Sequence, residues 1–213
     1  MEFKLLGQEV NREPMERYMK NKFPFLGIKS PDRKLQEREL LKESRNWDTA
    51  NLILEIQTLY QKPEREYQYV AIDLAQRNYQ RFSLEELKTL LVIVDQKAWW
   101  DTVDSWRKVF ASYAIKFPEH KLTIFNWFFQ NESMWLRRIS IIFQLTEKET
   151  LDTEMLTEAI ETDQYTNEFF LQKAIGWALR NYSKVNPGWV GDFIATHELS
   201  NLAQREASKY LDN

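Results

Sequence analysis

Apolar residues recur along this chain with the spacing of amphipathic helices. Apolar positions recur three and four residues apart, and short breaks with helix-capping residues separate the periodic segments. One break has Ser83 and Glu86 at capping-box spacing, and another places Asn186 before a proline. The pattern predicts helices over residues 12–22, 31–43, 47–61, 64–79, 83–94, 99–116, 119–130, 133–146, 151–162, 167–184, 187–196 and 199–211.

The longer predicted helices recur at a regular spacing. Similar segments begin at Val70, Thr102, Arg137, Lys173 and Gln204, with 32, 35, 36 and 31 residues between successive starts. A second amphipathic helix is predicted between each pair of these segments. A helical pair of this length is typical of HEAT-like α-solenoids, in which each pair buries its apolar face against its neighbours. The sequence therefore predicts an all-α superhelix of HEAT-like repeats, forming a single domain over residues 1–213.

Composition narrows the choice of chemistry. The chain has 213 residues with no Cys and only 2 His, which excludes a disulfide scaffold, a thiolate or histidine-rich metal site and a cysteine nucleophile. It has no apolar run of membrane-spanning length, and we expect no signal peptide because residues 1–12 carry charges throughout. We therefore expect a cytoplasmic protein that binds no metal and does not associate with membranes.

Charge is distributed unevenly along the chain. The net charge is −3, which by itself gives no indication of nucleic-acid binding. Residues 146–168 hold eight Asp and Glu against one Lys, whereas residues 15–45 hold nine Lys and Arg against five Asp and Glu. Segregated charges of this kind favour a local basic surface, although scattered solvated faces remain the alternative.

The predicted helix over residues 99–116 carries polar chemistry away from its apolar stripe. At about 100° per residue, Trp100, Asp104 and Arg107 share an arc on the side opposite to the apolar residues. A Trp followed by a carboxylate one turn later is unusual on a solvated face. The alternative is structural: Trp100 packs against the next repeat, and Asp104 pairs with Arg107.

The predicted helix over residues 133–146 has an arginine within its apolar face. Arg138 lies among apolar side chains, whereas Arg137 lies on the polar side and is interpreted as solvated. A guanidinium among apolar groups is costly unless it is paired or directed at a ligand anion. Arg138 is therefore a candidate ligand contact, with a structural ion pair as the alternative.

The predicted helix over residues 167–184 presents a basic stripe. Lys173, Gly176, Trp177, Arg180 and Lys184 fall within an arc of about 100°. Cations suit phosphates, an aromatic face suits a sugar or base, and glycine lets a ligand approach the backbone. The alternative is a solvated charged face, which the lack of an acid within the stripe makes less attractive.

These three helices belong to successive repeats, so their equivalent faces are expected to line one groove. Trp100, Asp104, Arg138 and Trp177 then converge. Aromatic faces and a carboxylate all favour positive charge, which suits an oxocarbenium ion at a sugar carbon. With one carboxylate evident, the leaving group must need no general acid, as is true of an alkylated purine that already carries positive charge.

At these residues the sequence resembles the AlkD-like family of DNA alkylation repair glycosylases. The resemblance implies a HEAT-like superhelix that removes N3- or N7-alkylated purines from duplex DNA without metal or cofactor. It also implies catalytic roles for Trp100, Trp177 and Asp104. The matching stretches are KNKFPFLGIKSPDRK (20–34), WWDTVDSW (99–106), WLRRISIIFQL (135–145), FFLQKAIGWALRNYSKVNP (169–187) and LAQREASKYL (202–211).

The same resemblance assigns DNA contacts. Arg138 corresponds to the family's DNA-contacting arginine, and Arg180 and Tyr18 match positions near the lesion and the backbone. The basic stripe adds Lys173 and Lys184 as DNA-binding candidates, and the polar arc of the Trp100 helix adds Arg107. We expect a monofunctional, monomeric glycosylase without lyase activity, whose partner is duplex DNA with alkylated bases. The alternative is a non-catalytic HEAT-like module that binds DNA or protein.

Overall fold

The computed structural model describes residues 3–211, and that range is built from α-helices and short 3₁₀ turns without any strand. The all-α prediction is therefore confirmed. The α-helices are α1 (Glu9–Tyr18), α2 (Ser30–Gln36), α3 (Arg38–Glu43), α4 (Thr49–Gln61), α5 (Arg65–Asn78), α6 (Leu84–Val94), α7 (Trp100–Lys116), α8 (Lys121–Phe128), α9 (Met134–Ile142), α10 (Thr153–Asp163), α11 (Phe169–Tyr182), α12 (Pro187–Thr196) and α13 (Asn201–Ala207).

The predicted repeat is present in the order of the helices. The five similar segments fall in α5, α7, α9, α11 and α13, and one α-helix separates each from the next. The helical-repeat prediction is confirmed. The chain groups into two compact units, Met1–Gln96 and Lys97–Asn213, and the prediction of a single domain stays a prediction.

In the first unit, a buried carboxylate fixes the segment that precedes α2. Helix α5 packs against α3 and α4, and α4 also packs against α6. From α5, Glu66 accepts hydrogen bonds of 2.9 Å from the backbone N–H groups of Leu26, Gly27 and Ile28. Gly27 has a φ of 82°, a left-handed conformation that side chains with a Cβ rarely adopt. This anchoring accounts for the glycine in the LGIKSPD stretch.

The second unit has two layers of helices. Helix α9 packs between α7 and α11, and α13 packs on the far side of α11, so these four helices run side by side. Helix α8 packs against α7 and α9, α10 against α9 and α11, and α12 against α11, which forms the other layer. Trp106, Phe110 and Phe128 are fully buried between them. The expectation that the helices at 99–116, 133–146 and 167–184 are neighbours is confirmed.

Several predicted helix boundaries are confirmed and others move. The Ser83–Glu86 capping box forms, and the Asn186 side chain caps α12. The helix predicted over residues 31–43 is two helices that meet at Glu37. The helix predicted to reach residue 22 ends at Tyr18, because Lys20 and Asn21 take positive φ angles that cannot continue a helix.

Candidate functional site

A pocket of about 220 Å³ lies on α7, α9 and α11 of the second unit. Most of its wall is aromatic or cationic. The lining residues are Trp100, Arg138, Phe169, Phe170, Lys173, Trp177 and Arg180. The structure therefore brings together three of the four residues that we expected to converge, and the fourth, Asp104, bonds directly to the pocket residue Arg138.

Two tryptophans from different helices line this pocket. Trp100 is the first residue of α7, and Trp177 lies in α11. The preceding Trp99 contacts Trp135 and the pocket residue Phe170, with ring centroids 5.4 Å and 4.9 Å away. This aromatic cluster packs at the start of α7, directly before Trp100, whose indole lines the pocket.

Asp104 and Arg138 form a bidentate ion pair between α7 and α9. Arg138 donates from Nε to Asp104 Oδ1 at 2.8 Å and from Nη2 to Oδ2 at 2.9 Å. It also donates from Nη1 to the carbonyl oxygen of Phe170 at 2.5 Å, which ties α11 to the same guanidinium. The structural ion pair that the sequence left open for Arg138 is therefore present.

Exposure is unequal within this ion pair. The Arg138 side chain is 5% exposed, whereas the Asp104 side chain is 18% exposed. Each carboxylate oxygen accepts one hydrogen bond from Arg138 and keeps a further lone pair for a water molecule or a ligand. The pair therefore holds Asp104 in one orientation and leaves its negative charge as the accessible part.

Arg107 lies in a different place from the one that the helical wheel suggested. It is buried rather than presented on a polar face, and its Nε finds no hydrogen-bond acceptor among the described residues. Burial lowers the pKa of Arg107, and the nearby charge of Asp104 opposes that shift. Arg107 therefore acts on Asp104 through its charge, and its predicted contact with DNA stays a prediction.

The basic stripe of α11 is paired with an acid from α13 that the sequence did not indicate. Glu206 of α13 bonds to Lys173 Nζ at 3.1 Å, to Arg180 Nη1 at 2.6 Å and to Lys209 Nζ at 2.9 Å. The hydrogen bond from Lys209 and the one from Lys173 lower the pKa of Glu206 to about 2 against the effect of burial. The stripe itself holds no acid, as its sequence shows, but Glu206 from the neighbouring helix pairs with two of its cations.

Gly176 has a packing role. A Cβ on this residue would lie 2.5 Å from the Cβ of Glu206 and 2.9 Å from the backbone oxygen of Ala203. The interpretation that Gly176 leaves room for a ligand is therefore wrong, because α13 already occupies that space. The close approach of α11 and α13 is what brings Glu206 between Lys173 and Arg180.

Three further predicted residues lie outside the pocket. Lys184 comes after the end of α11 and lies 4.7 Å from the ring centroid of Tyr210, at a separate surface hollow. Tyr18 is the last residue of α1 in the first unit, where it is exposed. Arg137 was interpreted as solvated, which is wrong: its Nε donates to Asp163 at 3.0 Å and its Nη1 to the backbone oxygens of residues 131 and 132.

Sequence reasoning missed Glu206, Phe169 and Phe170. Phe169 is exposed at the start of α11. Two adjacent aromatic residues in the first turn of the basic helix are the sequence signal that could have indicated them. Glu206 is the single acid in a final helical segment that otherwise repeats the basic pattern, but no pattern within one helix indicates its partners. Within residues 3–211, the structure contains neither a cluster of three potential metal-binding side chains nor a helix long and apolar enough to span a membrane.

Comparisons with known proteins give a consistent picture. The family model described as DNA alkylation repair enzyme matches residues 1–211. A solved structure described as a predicted DNA alkylation repair enzyme from Enterococcus faecalis has a TM-score of 0.97 and 48% identity, with 99% of each chain covered. AlkD2 from Streptococcus mutans has a TM-score of 0.70 and 20% identity, covering 93% of this chain and 100% of its own.

A third structure, smu.31 from Streptococcus mutans UA159, has a TM-score of 0.67 and 19% identity, covering 98% of this chain and 100% of its own. At these low identities, the two streptococcal structures show a shared fold. No curated protein sequence matches the chain.

Proposed function

The chain belongs to the DNA alkylation repair enzyme family, and on that premise we propose that it is a monofunctional DNA glycosylase. Its substrates are cationic N3- and N7-alkylpurines in duplex DNA, such as 3-methyladenine and 7-methylguanine. It hydrolyses the N-glycosidic bond as a cytoplasmic monomer, without metal or cofactor. The observation that carries this proposal is the pocket lined by Trp100, Trp177 and Arg138, with Asp104 ion-paired to that arginine.

The chemistry of this pocket matches a cationic transition state. As the bond between C1′ and the base nitrogen breaks, its electron pair leaves with the base and positive charge develops on the sugar. Indole faces attract cations, and a fixed carboxylate stabilises developing positive charge without reorganising. Trp100 and Trp177 would therefore contact the sugar, while Asp104 supplies the negative charge.

The leaving group explains why a single carboxylate suffices. Glycosidases that cleave a bond to an uncharged oxygen substituent commonly use two carboxyl groups, one of which protonates the departing oxygen. An N7- or N3-alkylated purine already carries a positive charge and departs as a neutral base, so no general acid is needed. Water then adds to C1′ and releases its proton to the solvent or to Asp104.

Asp104 is proposed as the catalytic carboxylate and Arg138 as the residue that positions it. Asp104→Asn keeps the shape and removes the charge, so excision should fall at least ~10²-fold if preorganised charge is the main catalytic contribution. Binding to duplex DNA should survive this change. Arg138 donates three hydrogen bonds to Asp104 and Phe170. Its proposed contact with DNA is therefore secondary to its role in positioning Asp104.

Backbone contacts are proposed for the exposed cations. Lys173 and Arg180 line the pocket and are the principal candidates for phosphates that flank the lesion. Tyr18 and Lys184 remain proposed contacts from outside the pocket. Arg107 is buried, so its proposed contribution is electrostatic rather than a direct contact with DNA.

The absence of lyase activity is part of the proposal. A lyase needs a neutral, desolvated amine that forms a Schiff base with the sugar. Lys173 is the lysine of this pocket lining, and it is partly exposed and ion-paired with Glu206, so it is not desolvated. Borohydride treatment during the reaction should trap no covalent adduct between protein and DNA.

The competing proposal is a non-catalytic helical-repeat module that binds DNA or protein. Release of free 7-methylguanine from methylated duplex DNA by the purified protein separates the two. We expect release by the native protein and almost none by Asp104→Asn prepared identically, which also controls for a contaminating glycosylase. Duplex binding without any base release by the native protein would favour the binding module.

A further inference from the structure

Glu206 is the centre of a charge cluster at the edge of the pocket. Its side chain is 7% exposed, whereas its partners Lys173, Arg180 and Lys209 are 44%, 27% and 46% exposed. Its two oxygens are both in use, since Oε1 accepts from Lys173 and Oε2 accepts from Arg180 and Lys209. The cations therefore face the solvent and share a single buried carboxylate.

The cluster depends on the close packing of α13 against α11. Gly176 and Ala203 let the two helices approach until no Cβ fits on residue 176. Glu206 then reaches Lys173 and Arg180, which lie about one turn to either side of Gly176 on α11. The carboxylate is thus built into the helix contact and cannot swing away without disturbing it.

A carboxylate in this position resembles a bound phosphate group. Arginine and lysine bind carboxylates and phosphates with the same donors, and charge-assisted hydrogen bonds of this type are the strong ones. A DNA phosphate that approaches Lys173 or Arg180 must therefore share or replace the hydrogen bonds to Glu206. This exchange lowers the net gain from each backbone contact.

We infer that Glu206 competes with DNA phosphates for Lys173 and Arg180 and thereby limits the affinity of this protein for the DNA backbone. This inference rests on the proposed function. The competition acts at every backbone position that meets these cations, so it weakens binding to damaged and undamaged duplex alike. It keeps the cations in place for binding and also prevents them from holding undamaged DNA tightly.

Glu206→Gln tests the inference, because glutamine keeps the shape of the side chain and removes its charge. Binding of an undamaged duplex is measured by fluorescence anisotropy over a range of salt concentrations. We expect about tenfold tighter binding at low salt and a salt dependence steeper by about one phosphate contact. Glu198→Gln is the matched control, since Glu198 is an exposed carboxylate of the same unit and its removal changes the net charge equally.

A double variant tests whether Arg180 is a cation that Glu206 withholds from DNA. Glu206→Gln should raise the affinity less in an Arg180→Gln background than in the native background, because part of the gain comes from the released Arg180 guanidinium. Melting curves of all variants establish the temperature at which each is folded, and binding is compared below that temperature. Equal affinity and salt slope for Glu206→Gln and Glu198→Gln would overturn the inference.

A measurement on the native protein covers the case in which Glu206→Gln fails to fold. The ¹³C resonance of the Glu206 carboxylate should shift when undamaged duplex is added, because its partners change. An unchanged resonance at saturating duplex would overturn the inference as well. If the native protein releases alkylated base while either of these contrary results is obtained, only the role of Glu206 is wrong. If the native protein neither binds duplex nor releases base, the proposed function itself fails.

Discussion

Two ion-paired carboxylates of the second unit have opposite arrangements. In the pair between α7 and α9, the cation Arg138 is buried at 5% exposure and the carboxylate of Asp104 is the more accessible partner at 18%. In the cluster between α11 and α13, Glu206 is the buried partner at 7% exposure and Arg180 is the accessible one at 27%. Both arrangements join neighbouring helices of the side-by-side row α7, α9, α11 and α13.

This difference shows how one structural device serves two purposes. Burying the cation presents negative charge, which suits a positively charged transition state. Burying the carboxylate presents positive charge, which suits phosphates. Asp104 and Arg138 form a neutral pair, whereas three cations share Glu206. The protein therefore groups charge of either sign locally without a strongly basic composition, in keeping with a net charge of −3.

Among changes to the partners of the two carboxylates, Arg138→Gln should have the largest effect. It removes the bidentate partner of Asp104 and leaves that carboxylate less well oriented, so excision should fall at least about tenfold. Breaking a pair with a buried member also costs stability, on the order of 3 kcal/mol. Single-turnover excision below the melting transition measures the first effect, and chemical unfolding measures the second.

Arg138→Lys is the matched control for this change. It keeps the positive charge but loses the planar fork that binds both oxygens of Asp104. It should recover part of the stability and less of the activity. Native excision by folded Arg138→Gln would show that Asp104 needs no positioning.

Arg180→Ala should have an intermediate effect on the second arrangement. Loss of one phosphate contact should weaken binding to damaged and undamaged duplex about equally, by roughly tenfold at low salt, and make the salt dependence shallower by about one contact. Lys184→Ala changes the net charge equally but removes a cation that lies beside Tyr210, outside the pocket. It should change binding less than Arg180→Ala. Loss confined to the damaged duplex would instead assign Arg180 to recognition of the lesion.

The smallest effect on excision is expected from the buried ion cluster of the first unit. Burial raises the pKa of Glu37 to about 7, against the charge of Arg33, whose Nη1 lies 2.5 Å away, and with a further upward contribution from Asp73. The folded protein therefore binds a proton at Glu37 more tightly than the unfolded chain does. The resulting stability is complete below pH 4.5 and is lost as the pH rises through about 7.

Glu37→Gln should remove this pH dependence of the unfolding free energy. The dependence is at most about 3 kcal/mol between pH 5 and 8. Chemical unfolding at several pH values measures it, with the native protein as the reference. Excision by the variant should follow the native pH profile wherever both proteins are folded. A changed excision profile would connect this cluster to the site.

The fold was predictable because its determinants are mostly local. Helical periodicity and caps such as Ser83 with Glu86 lie within a few residues of the structure that they specify. The helix predicted over residues 31–43 is interrupted at Glu37, and the interaction of Glu37 with Asp73, far along the chain, was not predicted. Contacts of that range leave no periodic signal.

The candidate site was predictable to the extent that single helices define it. Arg138 is indicated by a guanidinium on an apolar face, which needs a partner or a ligand anion, and Asp104 is indicated separately by the polar arc of its own helix. Glu206 did not stand out because its partners Arg180 and Lys173 precede it by 26 and 33 residues. A helical wheel shows one helix at a time. It therefore cannot predict the close contact of α11 with α13 at Gly176, which brings Glu206 to the pocket cations.

The opposite roles of the two carboxylates are tested most directly by single-turnover excision of 7-methylguanine from a duplex over a range of protein concentrations. Asp104→Asn and Glu206→Gln are measured in parallel with the native protein, at a temperature where all three are folded. The account predicts that Asp104→Asn lowers the maximal rate at least ~10²-fold with little change in the half-saturating concentration. Glu206→Gln should keep the maximal rate and reach half-saturation at a lower concentration. The same change in both variants, either in rate or in half-saturation, would contradict the account.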